Sequence, residues 1–201
     1  KECLETGWIS SAGSYVDKFE QMVADYAGAK YGIATMNGTA ALHIALLLAG
    51  VKPKDYVIVS NMTFVASANS IKYTGADPIL IDADPKTWQM DLDLLDEFLD
   101  NKTSTNSEGE RILISDGRCV KTIMPVHIQG NIFDVDRFKF ICEKYNMSFV
   151  EDAAEALGSK FKGQSAGTFK KLGVFSFNGN KIISTGGGGV IVTNDKLLAK
   201  K

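Results

Sequence analysis

Apolar residues in this chain recur at two spacings, and the two alternate from end to end. Residues 17–26 repeat at about 3.6, with Phe19, Met22, Val23 and Tyr26 on one face, which predicts a helix over Asp17–Tyr26. Tyr31–Thr35 predicts a short buried strand, and Ala40–Ala49, built of Ala and Leu, a strong helix. Beyond a turn at Pro53 come a strand over Tyr56–Ser60, a helix over Phe64–Tyr73, a strand over Pro78–Ile81 and a helix over Leu92–Leu99. Asn101–Glu110 is polar and reads as loop. Ile112–Val120 carries Asp116-Gly117 between two apolar runs, the signal of a type I′ hairpin. A strand over Thr122–Val126, a helix over Val135–Tyr145 and strands over Ser148–Glu151, Val174–Ser176 and Val190–Thr193 complete the set. Such alternation predicts an α/β fold with a mostly parallel mixed sheet sandwiched by helices. No internal repeat and no linker rich in Pro or Ser divides the chain, so residues 1–201 read as one domain. The opening Lys-Glu-Cys-Leu-Glu reads as the tail of a helix and Asn194–Lys201 as a capped helix start, so the chain is expected to be a fragment.

Composition narrows the class. The 201 residues are ample for a sizeable core, and 45% of them are hydrophobic, which excludes wholesale disorder. With 22 Lys and Arg against 24 Asp and Glu, the formal net charge is −2, so nothing marks a nucleic-acid or anionic-membrane partner. The longest greasy stretch, Ala40–Val51, is too short to span a bilayer. Three scattered cysteines and two histidines, with no C-x-x-C, argue against a disulfide framework or zinc site and point to a reducing cytoplasm.

Ligands in open α/β sheets bind at the carboxyl ends of strands, and four segments there carry suitable groups. Asn37-Gly38-Thr39-Ala40 opens the Ala/Leu helix; it reads as a plain N-cap or as an anion cradle of free N–H groups with a hydroxyl at Thr39. Ser60–Phe64 ends another strand, with Thr63 as an expected N-cap and Phe64 either core or a stacking face for a planar ligand. At Glu151-Asp152-Ala153-Ala154-Glu155 strand hydrophobicity stops at two acids. They are either an acidic helix start or a functional carboxylate, and a buried Asp152 needs a donor or cationic partner. No second acidic cluster supports a Mg²⁺ site. Ser176–Gly189 holds Lys181 in a glycine-punctuated loop, as a surface lysine or as a carbonyl-attacking amine. Its four glycines, 186–189, allow tight backbone passage. Together these groups are what an enzyme needs to hold pyridoxal 5′-phosphate (PLP).

The stretches Asn-Gly-Thr-Ala-Ala-Leu, Glu-Asp-Ala-Ala-Glu-Ala-Leu-Gly-Ser and Ser-Phe-Asn-Gly-Asn-Lys-Ile-Ile-Ser-Thr-Gly resemble those of the DegT/DnrJ/StrS nucleotide-sugar aminotransferases, and the likeness runs nearly end to end. The resemblance implies the large domain of PLP fold type I, without the small C-terminal domain. It is nearest the branch aminating UDP-4-keto-6-deoxy-N-acetylhexosamines, of the legionaminic-acid and bacillosamine type. It implies that Lys181 forms a Schiff base with PLP and that Asp152 pairs with the ring nitrogen. Gly38, Thr39, Ala40 and Ser176 would hold the phosphate. Phe64 and Ala154 would face the two sides of the ring, and Glu155 would lie near its 3′-oxygen. The implied reaction moves an amino group from L-glutamate to the keto group of a nucleotide-linked deoxy sugar, for cell-surface polysaccharide or sialic-acid-like sugars, in a homodimer with shared sites. Trp8, Ser10 and His127 are candidate substrate residues, with a structural role for His127 as the alternative. Many relatives have Gly-Glu-Gly-Gly where this chain has Gly186–Gly189, which bears on the subfamily. Relatives acting as sugar dehydratases replace the lysine with histidine, so Lys181 points to amino transfer. The rival readings are another fold-type I aminotransferase or lyase acting on amino acids, and a non-catalytic PLP-binding regulatory homologue.

Overall fold

A computed structural model describes residues 1–8 and 13–201. Its centre is a seven-stranded sheet in the order β1-β11-β10-β7-β6-β2-β3. The strands are β1 (Tyr31–Thr35), β2 (Tyr56–Ser60), β3 (Asp77–Ile81), β6 (Val120–Met124), β7 (Ser148–Asp152), β10 (Leu172–Ser176) and β11 (Gly189–Thr193). Pairing is parallel from β3 through β2, β6 and β7 to β10, and β11 alone runs against its neighbours β10 and β1. The sheet is thus mixed and mostly parallel, as the alternation predicts.

Strands covered on both faces must be apolar on both. Along β2, Val57 and Val59 enter one core while Ile58 enters the other, and Phe149 and Val150 of β7 divide in the same way. On one face lie α2 (Ser14–Ala27), α5 (Leu92–Lys102) and α6 (Val135–Lys144), which bury Val23, Leu95, Leu99, Phe138 and Ile141. On the other lie α3 (Gly38–Leu48) and α4 (Val65–Tyr73), which bury Leu42, Leu46 and Ile71. The end segments are short helices, α1 (Glu2–Thr6) and α7 (Lys196–Ala199).

Three local readings are corrected. The polar stretch 101–110 is not all loop: α5 runs on to Lys102, and β4 (Thr103–Thr105) pairs antiparallel with β5 (Arg111–Leu113). Thr and Ser in so short a strand carry no apolar alternation to announce it. The hairpin at Asp116-Gly117 forms, with Ile112 opposite Cys119, but its loop spans 114–117. Gly117 alone of the pair has positive φ, so the turn is not type I′. Instead the Asp116 carboxylate accepts from the Arg118 amide and the Tyr56 hydroxyl, which fixes a wider loop. At α4 the cap position is Phe64 and no side chain caps it; Thr63 bonds Ser67 instead. The small pair β8 (Lys160–Phe161) and β9 (Gln164–Ser165) has no signal in the pattern.

The glycine run has uneven demands. A Cβ on Gly189 would lie 2.5 Å from the Asn37 carbonyl, because β11 passes directly against the start of α3. One on Gly187 would meet nothing nearer than the Met36 carbonyl oxygen at 3.8 Å. Gly189→Ala is therefore expected to lower stability by about 1–3 kcal/mol, the usual cost of forcing extra volume into a packed site. Gly187→Ala should be nearly neutral. Urea unfolding midpoints of the two variants check this; equal midpoints would refute it.

Candidate active site

The parallel strands deliver their carboxyl ends to one rim. β1 leads to Asn37–Thr39, β2 to Thr63 and Phe64, β6 to the turn at 127–131, β7 to Asp152–Glu155 and β10 to Ser176 and the lysine loop. These segments enclose a cavity of about 250 Å³, whose lining includes Gly38, Thr39, Phe64, Asp152, Ala154, Glu155, Ser176 and Lys181.

At one wall α3 begins. Asn37 is its N-cap, with the side-chain oxygen accepting from the Ala40 amide at 2.8 Å. That bond occupies the Ala40 donor, and Ala40, unlike Gly38 and Thr39, does not line the cavity. First-turn amides at Gly38 and Thr39 have no intrahelical acceptor, and the helix dipole adds to their positive end. Gly38 is required here: a Cβ would fall 2.8 Å from that of Ser176, whose hydroxyl closes the same corner. The helix cap and the candidate anion site are therefore one piece of backbone.

Opposite stands Lys181, its side chain only 11% exposed, with Nζ 3.0 Å from Glu155 Oε1. The other Glu155 oxygen accepts from the Gln129 amide at 2.9 Å, where Gln129 has φ +53°. Burial alone would raise the Glu155 carboxyl, but the bonds from Lys181 and Gln129 outweigh it and hold it below the usual range. The Lys181 ammonium lies 5.9 Å from the centre of the Phe64 ring, which is 64% exposed and so offers a face rather than a core plug.

Asp152 is 4% exposed. Its Oδ2 accepts from Ser67 Oγ at 2.7 Å and its Oδ1 from the Ala154 amide at 3.2 Å. Burial pushes the carboxyl above its usual range, despite these two donors and the nearby Lys181 and His127. The two adjacent acids, moreover, part company. Strand alternation turns Glu151 to the other face, where it is wholly buried and accepts from the amides of Gly167, Phe169 and Lys170.

His127 is corrected as a substrate residue. Its ring is buried, stacks 4.9 Å from Phe133 and places Nε2 3.1 Å from Glu151, so it belongs to the packing behind Asp152. Trp8 is exposed, covers Gly13 and does not line the cavity. Ser10 lies outside the described residues. Sequence reasoning missed Ser67, Asn178 and Asn180, which line the cavity. Nothing near Ser67 in the chain marks it, since its partner is 85 positions away.

The whole chain, residues 1–201, matches the family model described as the DegT/DnrJ/EryC1/StrS aminotransferase family. The chain belongs to that family. It is similar to the GDP-perosamine synthase of Caulobacter vibrioides, 44% identical over 200 residues, covering 100% of this chain and 49% of that protein. It is also similar to the putative pyridoxal phosphate-dependent aminotransferase EpsN of Bacillus subtilis, 40% identical over 200 residues, covering 100% of this chain and 49% of that protein. The crystal structure of a DegT DnrJ EryC1 StrS aminotransferase from Brucella abortus shares the fold. Its TM-score is 0.87 at 30% identity, covering 99% of this chain and 51% of that one. The chain thus spans about half the length of the curated relatives it matches.

In the family chain without cofactor, the charge on buried Asp152 is a liability with a definite sign. Below its ordinary value of 3.8 the carboxyl is neutral in both folded and unfolded chains. As pH rises the unfolded chain ionises first, so stability is lost until the folded carboxyl follows. Asp152→Asn removes the charge and keeps the shape, with its oxygen able to accept from the Ala154 amide and its Nδ2 able to donate to Ser67 Oγ. It should therefore melt higher than the parent at pH 7, with the difference vanishing below pH 3.8. Thermal denaturation of the cofactor-free full chain at both pH values tests this. A variant that melts lower at pH 7 would refute it.

Proposed function

We propose that this chain is the PLP-binding large domain of an aminotransferase that moves an amino group from L-glutamate to a nucleotide-linked keto deoxy sugar. One observation carries the reading: an amine and a buried carboxylate face one cavity whose corner is a helix N-terminus with no Cβ at Gly38. The residues fit the cofactor. Lys181 is the nucleophile for its aldehyde, and Asp152 supplies an anion whose burial favours a cationic partner. Gly38, Thr39 and Ser176 would hold the phosphate, and Phe64 and Ala154 would lie on the two sides of the ring.

When bound, PLP supplies an electron sink for the carbanion formed at the amino-acid α-carbon. The chain does the rest. With the cofactor bound, Lys181 Nζ would be the base that accepts the donor's α-proton and the acid that hands it on, a general acid–base role. Asp152 keeps a proton on the ring nitrogen. Glu155 Oε1, 3.0 Å from Nζ in this structure, orients the amine between these transfers.

The GDP-perosamine synthases among the relatives, at up to 44% identity, bring a GDP-linked sugar into consideration beside the UDP-linked 4-keto sugar that the sequence resemblance suggests. Both fit a role in cell-surface polysaccharide synthesis. The rest of the protein, in this reading, carries a smaller domain that completes the sugar site. Three free cysteines suit a reducing cytoplasm. No helix of the described residues is long and apolar enough to cross a membrane.

Met36, Phe64, Ile182 and Ile183 are all more than half exposed, and they cluster on the segments that form the cavity. A second copy of the chain covering them makes a homodimer with shared sites. Light scattering on the full-length enzyme should return twice the chain mass, and an active monomer would overturn the dimer. Lys181→Ala in that enzyme should lose both the visible absorbance of lysine-bound PLP and turnover, by at least about 10³-fold as expected for loss of a covalent catalyst. Retention of either defeats the assignment. A panel of GDP- and UDP-linked 4-keto sugars against simple keto acids identifies the acceptor.

A further inference from the structure

Serine and threonine inside helices ordinarily return their hydroxyl proton to a carbonyl three or four residues back. In α4 and its end, Ser70 does so to Ser67 and Thr74 to Ile71, each at 2.7 Å. Ser67 does not. It is 1% exposed and sends its proton across to Asp152 Oδ2 at 2.7 Å. A hydroxyl has one proton to give. With Ser67 donating that proton to an ionised Asp152, the contact of 2.7 Å between Ser67 Oγ and Thr63 Oγ1 has Thr63 donating to Ser67. Thr63 has only a 3.4 Å alternative, the Phe64 carbonyl. The direction of the chain is therefore set by the charge at its end: Thr63 to Ser67 to carboxylate.

We propose that Thr63 and Ser67 form a hydroxyl relay that favours the ionised form of Asp152 against the cost of its burial and aims it into the cavity, making both of them positioning residues for the reaction. The proposal rests on the cofactor reading for its purpose but not for its geometry. Each donor in such a chain polarises the next, so Thr63 strengthens the Ser67 bond without touching Asp152. Other groups face the carboxyl from every neighbouring element: the Ala154 amide and Glu155 after β7, His127 after β6, and Lys181 from the lysine loop. Glu151 is turned away and engaged with His127 and three amides. Of these, only the Ala154 amide makes a hydrogen bond to the carboxyl oxygens, and at 3.2 Å it is the longer of the two contacts. Ser67 is the closer donor.

The test is the titration of the Asp152 carboxyl carbon by ¹³C NMR in the cofactor-free full-length protein, assigned by its disappearance in Asp152→Asn. Removing a donor to the ionised form raises the midpoint. Ser67→Ala should move it upward by about one pH unit or more, the tenfold or greater effect of losing a hydrogen bond to a charged group. Thr63→Val should move it upward by less, and Ser67→Thr, which keeps the hydroxyl, should leave it near the parent's. An unmoved midpoint in Ser67→Ala, or an equal rise in Ser67→Thr, overturns the proposal. If Ser67→Ala does not fold, the partly exposed Thr63→Val decides it: a rise supports the relay and no rise overturns it. In the PLP-loaded enzyme, Ser67→Ala should lower kcat about tenfold or more with KM for the sugar unchanged, and Ser67→Thr should restore it; a change in KM alone also overturns it. If the unsubstituted protein fails to take up PLP, the cofactor reading falls while the ¹³C titration still stands as the test of the relay.

Discussion

A carboxylate taken out of water has to be compensated where it stands, and the Asp152 end of β7 is arranged around that requirement. Ser67 arrives from α4, the Ala154 amide from the turn that follows β7, and the Lys181 charge from a loop beyond β10. Even so, burial wins and the carboxyl remains reluctant to ionise. The site therefore holds a standing preference for a cation in the cavity. A fold that needed only stability would place an uncharged side chain here.

Behind that carboxylate lies a second one with the opposite job. Glu151 is saturated by three loop amides and His127, which ties the segment 167–170 to the end of β7 and to the turn after β6. Removing one partner of such a buried set leaves charge or amides unpaired, at a cost of about 3–5 kcal/mol. The wall behind Asp152 is cross-linked in this way at four points. One acid braces and its neighbour faces the cavity, and only the two-residue period of a strand separates their roles.

Close approach is the other constraint. Gly38 against Ser176 and Gly189 against Asn37 bring β10, β11 and the first turn of α3 within backbone contact. The reversed β11 makes this possible: it runs back between β10 and β1 and passes the helix start on its way. The candidate anion-binding corner is thus built where a helix start meets two strands far from it in sequence, β10 and β11.

Much of the architecture was legible in the chain because it depends on local periodicity. The strand over Tyr56–Ser60 and the helices around Leu46 and Phe138 bury what their spacing says they bury. Asn37-Gly38-Thr39 and Lys181 could be singled out because glycine, caps and a lysine among glycines are local signals. The β4–β5 pair was not legible, because its short Thr-Ser-Thr strand carries no apolar alternation. Strand order, the reversal of β11 and the wider loop at Asp116, which bonds Tyr56 60 positions away, were not legible because they rest on partners elsewhere in the chain. The same holds for Ser67, indistinguishable in sequence from Ser70 three residues on, and for His127, whose fate was decided by Phe133 and Glu151 closing over it. Residue type and spacing determine which groups are available and which way an element buries them. Which groups meet is decided by packing in three dimensions, because a hydrogen bond between positions 67 and 152 leaves no trace in the residues that flank either one.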